Sequence, residues 1–196
     1  MKGSLIIIAF FVLGIVVGLQ SSTFNFQFST FILYALMFCV GISIGSDTNT
    51  LKSFRSVNPR LMMLPVMTIF GTLAGTAAAS ALLPHRHLFD CLAIGSGFGY
   101  YSLSSIFITE YKGAELGTIA LLANIMREII TLLCAPLLVK FFGKLAPISM
   151  GGATTMDTTL PIITRTSGQD YVIVSIFHGF CVDFSVPFLV TFFCSL

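Results

Sequence analysis

The chain has 196 residues, of which 56% are hydrophobic and only 9% are charged, and its net charge at pH 7 is +2. A soluble domain carries about 25% charged residues, so this chain cannot cover its surface with polar groups. It also lacks a basic cluster long enough to bind a phosphate backbone, which argues against a nucleic-acid partner. Repeated apolar runs of bilayer length predict an all-α, polytopic transmembrane helix bundle instead.

Seven segments with short linkers follow one another, which predicts a single integral membrane domain over residues 1–196. In chain order they are Ser4–Leu19, Ser29–Ile44, Leu61–Leu83, Leu88–Thr109, Leu116–Val139, Ile148–Thr164 and Tyr171–Leu196. The first resembles a signal peptide but lacks an A-x-A-like cleavage site, so we expect it to be the first span. The fourth and sixth, about 88–109 and 148–164, contain glycine-rich and hydroxyl-rich stretches and are expected to be broken or re-entrant.

The Lys and Arg residues of the short loops predict the orientation. The first loop, 20–28, has none, whereas the second, 47–60, holds Lys52, Arg55 and Arg60. This predicts a cytoplasmic second loop, a cytoplasmic N-terminus and a C-terminus outside. If all seven segments cross, six basic residues lie inside and three outside; if the fourth and sixth re-enter, seven lie inside and two outside. Both alternatives satisfy the rule, so charge does not distinguish between them.

Two full charges lie at the centre of the fifth segment, in LLANIMREIITLL. Arg127 and Glu128 are adjacent there, one turn after Asn124. A charge at the bilayer centre costs about 3 kcal/mol on insertion scales, so both side chains are expected to face protein or a water-filled cavity. Asn124 and Glu128 share a helix face, but Arg127 lies about 100° from Glu128 around the helix, which disfavours a pair. Either a functional site or a structural ion-pair network would account for them.

Each interrupted segment offers polar groups at membrane depth. GGATTMDTTLP, which contains Asp157, is a poor continuous helix, and a broken helix that lines a cavity exposes backbone dipoles to a ligand. The Asp157 carboxylate can bind a cation or accept a proton. The hydroxyl groups expected to contact a ligand are those of Thr154, Thr155, Ser102 and Ser104. An extramembrane loop is the alternative for GGATTMDTTLP, and a glycine packing seam is the alternative for GSGFGYYSLSS.

The last segment adds Asp183, near the middle of a long apolar run where the insertion argument applies again. His178 could relay protons because the pKa of histidine lies near neutrality, or it could simply be hydrogen-bonded. The five cysteines are isolated and form no CxxC, so they are read as packing residues. The sequence therefore predicts no metal site and no cofactor.

Four motifs occur in the order GFGYYSLSS followed by Thr109 and Glu110, NIMRE, GGATTMDTTLPIITR, and HGF…VPFLV. In that order they resemble the bacterial lysine exporter family of the LysO type, over essentially the whole chain. The resemblance implies an inner-membrane exporter, not an enzyme, for L-lysine and related basic amino acids. It also implies an intramembrane acid on the substrate or coupling path. By motif position that acid is Glu128, with Asp157 as the second candidate.

Lysine is a dication with one carboxylate, so carboxylates would hold its ammonium groups and Arg127 could clamp its carboxylate. Burial of carboxylates makes a proton-for-substrate antiport plausible. Longer family members carry further N-terminal spans, which implies a separately encoded membrane partner or a homo-oligomer here. Asp183 occupies a position where the family suggests an uncharged residue. Two other interpretations are a subunit that only stabilises a partner and an intramembrane aspartyl protease using Asp157 and Asp183.

Overall fold

The computed structural model describes Leu13, Phe38, Ile42 and residues 60–83 and 86–196. The chain divides into two compact units, Met1–Thr48 and Asn49–Leu196, and only the second is described at length. The predicted spans Ser4–Leu19 and Ser29–Ile44 lie outside the described residues apart from those three positions. The single domain over residues 1–196 stays a prediction. The all-helical class is confirmed, since every regular element in the described part of the chain is a helix.

Seven α-helices follow one another in the described residues of the second unit: α1 Leu64–Ser80, α2 Leu88–Gly95, α3 Tyr101–Lys112, α4 Ala114–Phe142, α5 Ala146–Gly151, α6 Leu160–Ser167 and α7 Val172–Cys194. Short 3-10 helices precede α1 (Leu61–Met63), follow α5 (Gly152–Met156) and precede α7 (Gln169–Tyr171). Three helical stretches are long and apolar enough to cross a membrane: Leu61–Ser80, Ala114–Phe142 and Gln169–Cys194. The third, fifth and seventh predicted segments are therefore confirmed as span-length helices.

Local sequence explains where several helices begin. Pro65, Pro147 and Pro161 stand in the first turns of α1, α5 and α6. Proline is favoured there because its missing N–H has no intrahelical partner to lose and its φ is already helical. Both α5 and α6 are short, six and eight residues, so neither could cross a bilayer alone.

The predicted fourth segment is a helical hairpin, which we call hairpin 1, made of α2 and α3 with a break at 96–100. Its two ends lie together. Arg86, just before α2, pairs with Glu115 at the start of α4, and Lys112, the last residue of α3, lies 3.4 Å from Asp90 in the first turn of α2. Because the chain enters and leaves at one level, hairpin 1 has the geometry of a re-entrant segment.

The predicted sixth segment is a second hairpin, hairpin 2, made of α5, the 3-10 turn Gly152–Met156 and α6. The Ser167 hydroxyl at the end of α6 donates to the carbonyl of Lys144, just before α5, at 2.8 Å. Buried apolar side chains from the start of α1, the base of hairpin 2 and the start of α7 pack in one cluster: Ile148, Ile163, Val174 and Phe177 with Leu61, Leu64, Leu145 and Tyr171 against them. Both ends of hairpin 2 therefore lie at the level where α1 and α7 begin.

The 29-residue helix α4 joins the two hairpins and is about 43 Å long, so they enter from opposite ends of the bundle. The elements form two similar pairs. In the first, the long helix α1 is followed by hairpin 1; in the second, the long helix α4 is followed by hairpin 2, and the second pair runs in the opposite direction. Of the two alternatives that charge left open, this geometry matches the re-entrant one. Inverted arrangements of this kind are common in secondary transporters, where the substrate site lies near the bilayer midplane.

Cysteine accessibility tests this topology. In a background without the native cysteines, Arg86→Cys and Lys112→Cys are expected to react with a membrane-impermeant maleimide from one face of sealed vesicles. Lys144→Cys and Asp170→Cys are expected to react from the opposite face. The substitution at Arg86 costs little, because its ion pair with Glu115 is exposed and such pairs contribute about 0–1 kcal/mol. Labelling of Arg86→Cys and Lys112→Cys from opposite faces would mean that 88–112 crosses the bilayer and would contradict the fold.

Candidate functional site

The polar residues of α4 lie halfway along it. Asn124 and Arg127 are about 15 and 20 Å from the start of a helix of about 43 Å, which places them near the centre of a hydrocarbon layer of about 30 Å. Asn124 is on the buried face of α4, with Ala120, Thr131 and Ala135. Arg127 and Glu128 flank this face and are half-buried. The hairpins approach the same level from both sides.

Asn124 holds the broken end of hairpin 1. Its amide Nδ2 donates to the carbonyl of Ile94, in the last turn of α2, at 3.2 Å, and its Oδ1 accepts from the N–H of Gly99 at 2.7 Å. A Cβ at position 97 would lie only 2.5 Å from Nδ2, so glycine is needed there for the close approach. One side chain therefore satisfies a donor and an acceptor that the helix break leaves open.

Arg127 holds the corresponding end of hairpin 2. Its Nε donates to the carbonyl of Met150 at 2.8 Å and its Nη2 to the carbonyl of Ser149 at 3.1 Å, both in the last turn of α5. Its Nη2 also lies 3.4 Å from the hydroxyl of Thr72 on α1. A helix C-terminus carries partial negative charge, so the guanidinium is balanced by the dipole and carbonyls of α5. Among the described residues it pairs with no carboxylate.

The two tips touch each other beside Arg127. The N–H of Ala153 donates to the carbonyl of Phe98 at 3.0 Å, and the guanidinium of Arg127 lies 5.8 Å from the centre of the Phe98 ring. Gly152 has φ of 64°, and a Cβ there would collide with the Phe98 carbonyl oxygen. Phe98 itself has φ of 45°, a conformation that costs non-glycine residues about 1–3 kcal/mol and is concentrated at functional sites.

Four of the predicted ligand-contacting side chains instead bond to the protein. The hydroxyl of Ser104 donates to the carbonyl of Tyr100 at 2.8 Å, and that of Thr154 donates to the carbonyl of Gly151 at 2.9 Å. Thr155 and His178 bond to each other and to neighbouring groups. These contacts hold the shapes of the two tips, and they leave the predicted role of these residues as ligand contacts untested.

The remaining predicted side chains have hydrogen-bonding capacity left. Glu128 is half-buried and makes no hydrogen bond or ion pair to the described residues, and the same holds for the exposed side chain of Ser102. Asp157 is exposed at the tip of hairpin 2 and accepts from the N–H of Thr158 at 2.6 Å. Asp183 on α7 is only 7% exposed and interacts electrostatically with Asp157, with Tyr100 near both. Acidic groups are thus present at the level where the tips meet.

An ion-pair network at this depth, which the sequence left as an alternative, does not form in the described part of the second unit. Arg86 pairs with Glu115 and Lys112 pairs with Asp90, both at the base of hairpin 1 and away from this depth. Arg127 and Glu128 do not pair with each other, as the 100° separation predicts: Arg127 bonds to the end of α5, and Glu128 makes no ion pair with a described residue.

The polar face of α1 was not predicted from the sequence. Thr68, Thr72 and Thr76 recur every four residues in an apolar span, which puts them on one helix face. Thr68 is 3% exposed and bonds to His178, Thr72 lies against Arg127, and Thr76 would meet a Cβ at Gly95. The four-residue spacing was the signal that could have identified them.

Comparison with known proteins assigns the chain to a family. The family described as "Lysine exporter LysO" matches residues 8–194. The "Lysine exporter LysO" of Escherichia coli (strain K12) is 36% identical over 185 residues, which cover 93% of this chain and 61% of that protein. The "Putative lysine exporter" of Haemophilus influenzae (strain ATCC 51907 / DSM 11121 / KW20 / Rd) is 34% identical over 165 residues, 84% of this chain and 83% of that protein.

No solved structure matches the chain. The chain spans 61% of the length of its E. coli relative, so the match covers most of this sequence and part of that protein. The family match extends over nearly all of the chain, and both relatives exceed 30% identity. The chain therefore belongs to the lysine exporter LysO family, the family that its four ordered motifs resemble.

Proposed function

We propose that the chain is the transport domain of a secondary transporter that exports L-lysine and related basic amino acids across the bacterial inner membrane in exchange for protons. The observation that carries the proposal is the meeting of two oppositely directed hairpin tips halfway along α4, with carboxylates left over at that level. Broken helices at the midplane are where secondary transporters bind their substrates. The names of both relatives support lysine as the substrate.

The charges at the midplane suit a substrate that carries two ammonium groups and one carboxylate. Arg127 is offset by the carbonyls of α5, so its charge does not cancel an acid. Glu128, Asp157 and Asp183 then remain to hold the two ammonium groups of lysine through charge-assisted hydrogen bonds. The substrate carboxylate would lie at the start of α3, where the helix dipole is positive and Ser102 is exposed. Arg127 would act through hairpin 2, whose end it holds.

Proton exchange follows from the same carboxylates. Carboxylates at membrane depth favour either a bound cation or a proton, since a bare negative charge is costly there. Lysine release towards one side would leave an acid that takes up a proton from that side. Opening of the site to each side in turn would then exchange lysine for protons, and the inverted order of α1–hairpin 1 and α4–hairpin 2 provides two similar gates.

The end of the bundle at which α1 begins faces the cytoplasm in this proposal. Four basic residues of the described part lie at that end: Arg60, Lys140, Lys144 and Arg165. Two, Arg86 and Lys112, lie at the other. The positive-inside rule then places hairpin 2 on the cytoplasmic side, hairpin 1 on the outer side and the C-terminus outside.

Glu128→Gln tests the central acid. We expect the rate of lysine uptake into inverted vesicles to fall about 10- to 100-fold, because the neutral amide cannot make the charge-assisted bond to an ammonium group. Glu115→Gln is the matched control, since Glu115 is on the same helix but exposed at its end, in an ion pair with Arg86. Full export by Glu128→Gln, at equal protein abundance, would remove this residue from the mechanism.

An imposed pH gradient tests the coupling. In proteoliposomes with the cytoplasmic face outward, an acidic lumen is expected to accelerate lysine entry, because each proton that leaves the lumen drives lysine in. A protonophore is expected to abolish the acceleration. Lysine flux that ignores the gradient would rule out proton antiport.

The same assay addresses substrate range and partners. Lysine, ornithine and arginine are compared on the chain alone, and then after co-expression with any small membrane protein that copurifies with it. Flux from the purified chain alone supports a self-sufficient carrier or homo-oligomer. Flux only with the second protein supports a two-subunit transporter.

A further inference from the structure

His178 on α7 lies in a chain of hydrogen bonds that joins three elements of the second unit. Its Nε2 lies 2.9 Å from the hydroxyl of Thr68 on α1, which lies 2.6 Å from the hydroxyl of Ser149 on α5. Its Nδ1 lies 3.3 Å from the hydroxyl of Thr155, in the 3-10 turn of hairpin 2. The imidazole is fully buried, and Thr68 and Thr155 are 3% and 0% exposed. We call this chain, Ser149–Thr68–His178–Thr155, the clasp.

The neighbours of Thr155 determine where the imidazole proton lies. The Thr155 hydroxyl is 2.8 Å from the carbonyl of Gly152 and 2.9 Å from the carbonyl of Ser175, and both can only accept. Its single proton goes to one of them, so towards His178 the hydroxyl can only accept. Nδ1 of His178 therefore carries a proton. In a neutral ring Nε2 is then the acceptor, for the proton of Thr68, whose own oxygen accepts from Ser149.

A neutral ring also fits the surrounding charges. The guanidinium of Arg127 is close enough to act on the imidazole, and no carboxylate acts on it from α1, hairpin 2 or α4. A second positive charge beside Arg127 in a water-poor interior would be repelled. This arrangement does not suit a ring that takes up and releases protons during transport.

The clasp fixes the part of hairpin 2 that presents Asp157. Thr155 belongs to the turn Gly152–Met156, and Asp157 is the next residue. Helix α7 packs so closely on this turn that a Cβ at Gly179 would lie 2.8 Å from the backbone nitrogen of Met156. One face of α7 therefore packs against the turn. The Ser175 carbonyl and the His178 imidazole bond to it, and the missing side chain of Gly179 lets its backbone come close.

We propose that His178 is a positioning residue for transport: as a neutral imidazole protonated on Nδ1, it holds the turn Gly152–Met156 against α7 and α1 and so fixes Asp157 at the midplane. The effect on transport rests on the function proposed above, whereas the protonation state and the clasp do not. Two experiments separate them.

Nitrogen NMR tests the clasp without disturbing it. The protein carries 15N-histidine in liposomes, with His85 and His87 replaced by Gln so that His178 gives the only histidine signals. We expect one protonated Nδ1 and one unprotonated Nε2, unchanged between about pH 5 and 8. Thr68→Val is expected to shift the Nε2 resonance, since its donor is lost. An Nε2-protonated ring, or an imidazolium in this pH range, would overturn the proposal.

Transport kinetics test the positioning role. Two variants, His178→Asn and Thr68→Val, are each expected to raise the KM for lysine about tenfold, as for loss of one buried hydrogen bond. The amide of His178→Asn can replace the Nδ1–H donor but does not reach Thr68. The pH profile of the maximal rate is expected to stay that of the unaltered protein. Thr118→Val is the matched control, because the Thr118 hydroxyl bonds only within α4, to Ala114.

Unchanged KM in both variants, or a shifted pH profile in His178→Asn, would overturn the positioning role and indicate no role or a proton relay. If the unaltered protein carries no lysine, the function proposed above fails instead. The NMR experiment then still decides whether the clasp forms and in which protonation state.

Discussion

The structure depends on how the backbone N–H and carbonyl groups at interrupted helix ends find hydrogen-bond partners where no water is available. A helix that stops halfway through a bilayer leaves carbonyl and N–H groups without intrahelical partners, and each unsatisfied group costs several kcal/mol in hydrocarbon. Hairpins 1 and 2 both stop there. Asn124 and Arg127, one turn apart on α4, hold the ends of α2 and α5 respectively. A single span thus supplies the partners for both breaks.

The choice of an amide for one end and a guanidinium for the other has a consequence for charge. Asn124 gives both a donor and an acceptor, which the Ile94 carbonyl and the Gly99 N–H require. Arg127 gives only donors, and the end of α5 offers two carbonyls to accept them. Since the arginine charge is balanced by a helix end, none of the nearby acids is paired with it. In the proposed function, a cation would therefore bind at the midplane without first breaking an ion pair with Arg127.

Much of this could be predicted from the sequence, because lipid restricts the possible structures so strongly. Apolar run length gave the three long helices, and glycine with hydroxyl residues gave both interruptions, near 96–100 and 152–159. The adjacent charges of Arg127 and Glu128 marked the level of the site. Periodicity does not show which polar side chain, Arg127 or Glu128, bonds to the protein and which keeps its hydrogen-bonding capacity for a ligand. That depends on tertiary neighbours far along the chain, such as Thr68 for His178, 110 residues away.

The same limit explains why the sequence could not show whether the two broken segments cross the bilayer or re-enter. Counting basic residues could not distinguish spans from hairpins, because both satisfy the charge rule. The distinguishing contacts join residues at the two ends of one segment, as Lys112 with Asp90 or Ser167 with Lys144. Single ion pairs and single hydroxyl contacts of this kind leave no periodic trace in a sequence. They nevertheless decide whether the two tips can meet beside α4.

The distance from the Arg127 guanidinium to the end of α5 tests most directly whether α4 holds the broken end of hairpin 2. Solid-state NMR recoupling between 15N-labelled arginine side chains and 13C-labelled methionine carbonyls can report it, with Met126→Leu to remove the neighbouring carbonyl and Arg127→Lys to assign the signal. We expect strong dephasing from Met150, because its carbonyl oxygen lies 2.8 Å from Nε of Arg127. This dephasing is expected to disappear in Arg127→Lys. Equal dephasing with and without Arg127 would show that the guanidinium does not hold hairpin 2 and that the end of α5 is satisfied in another way.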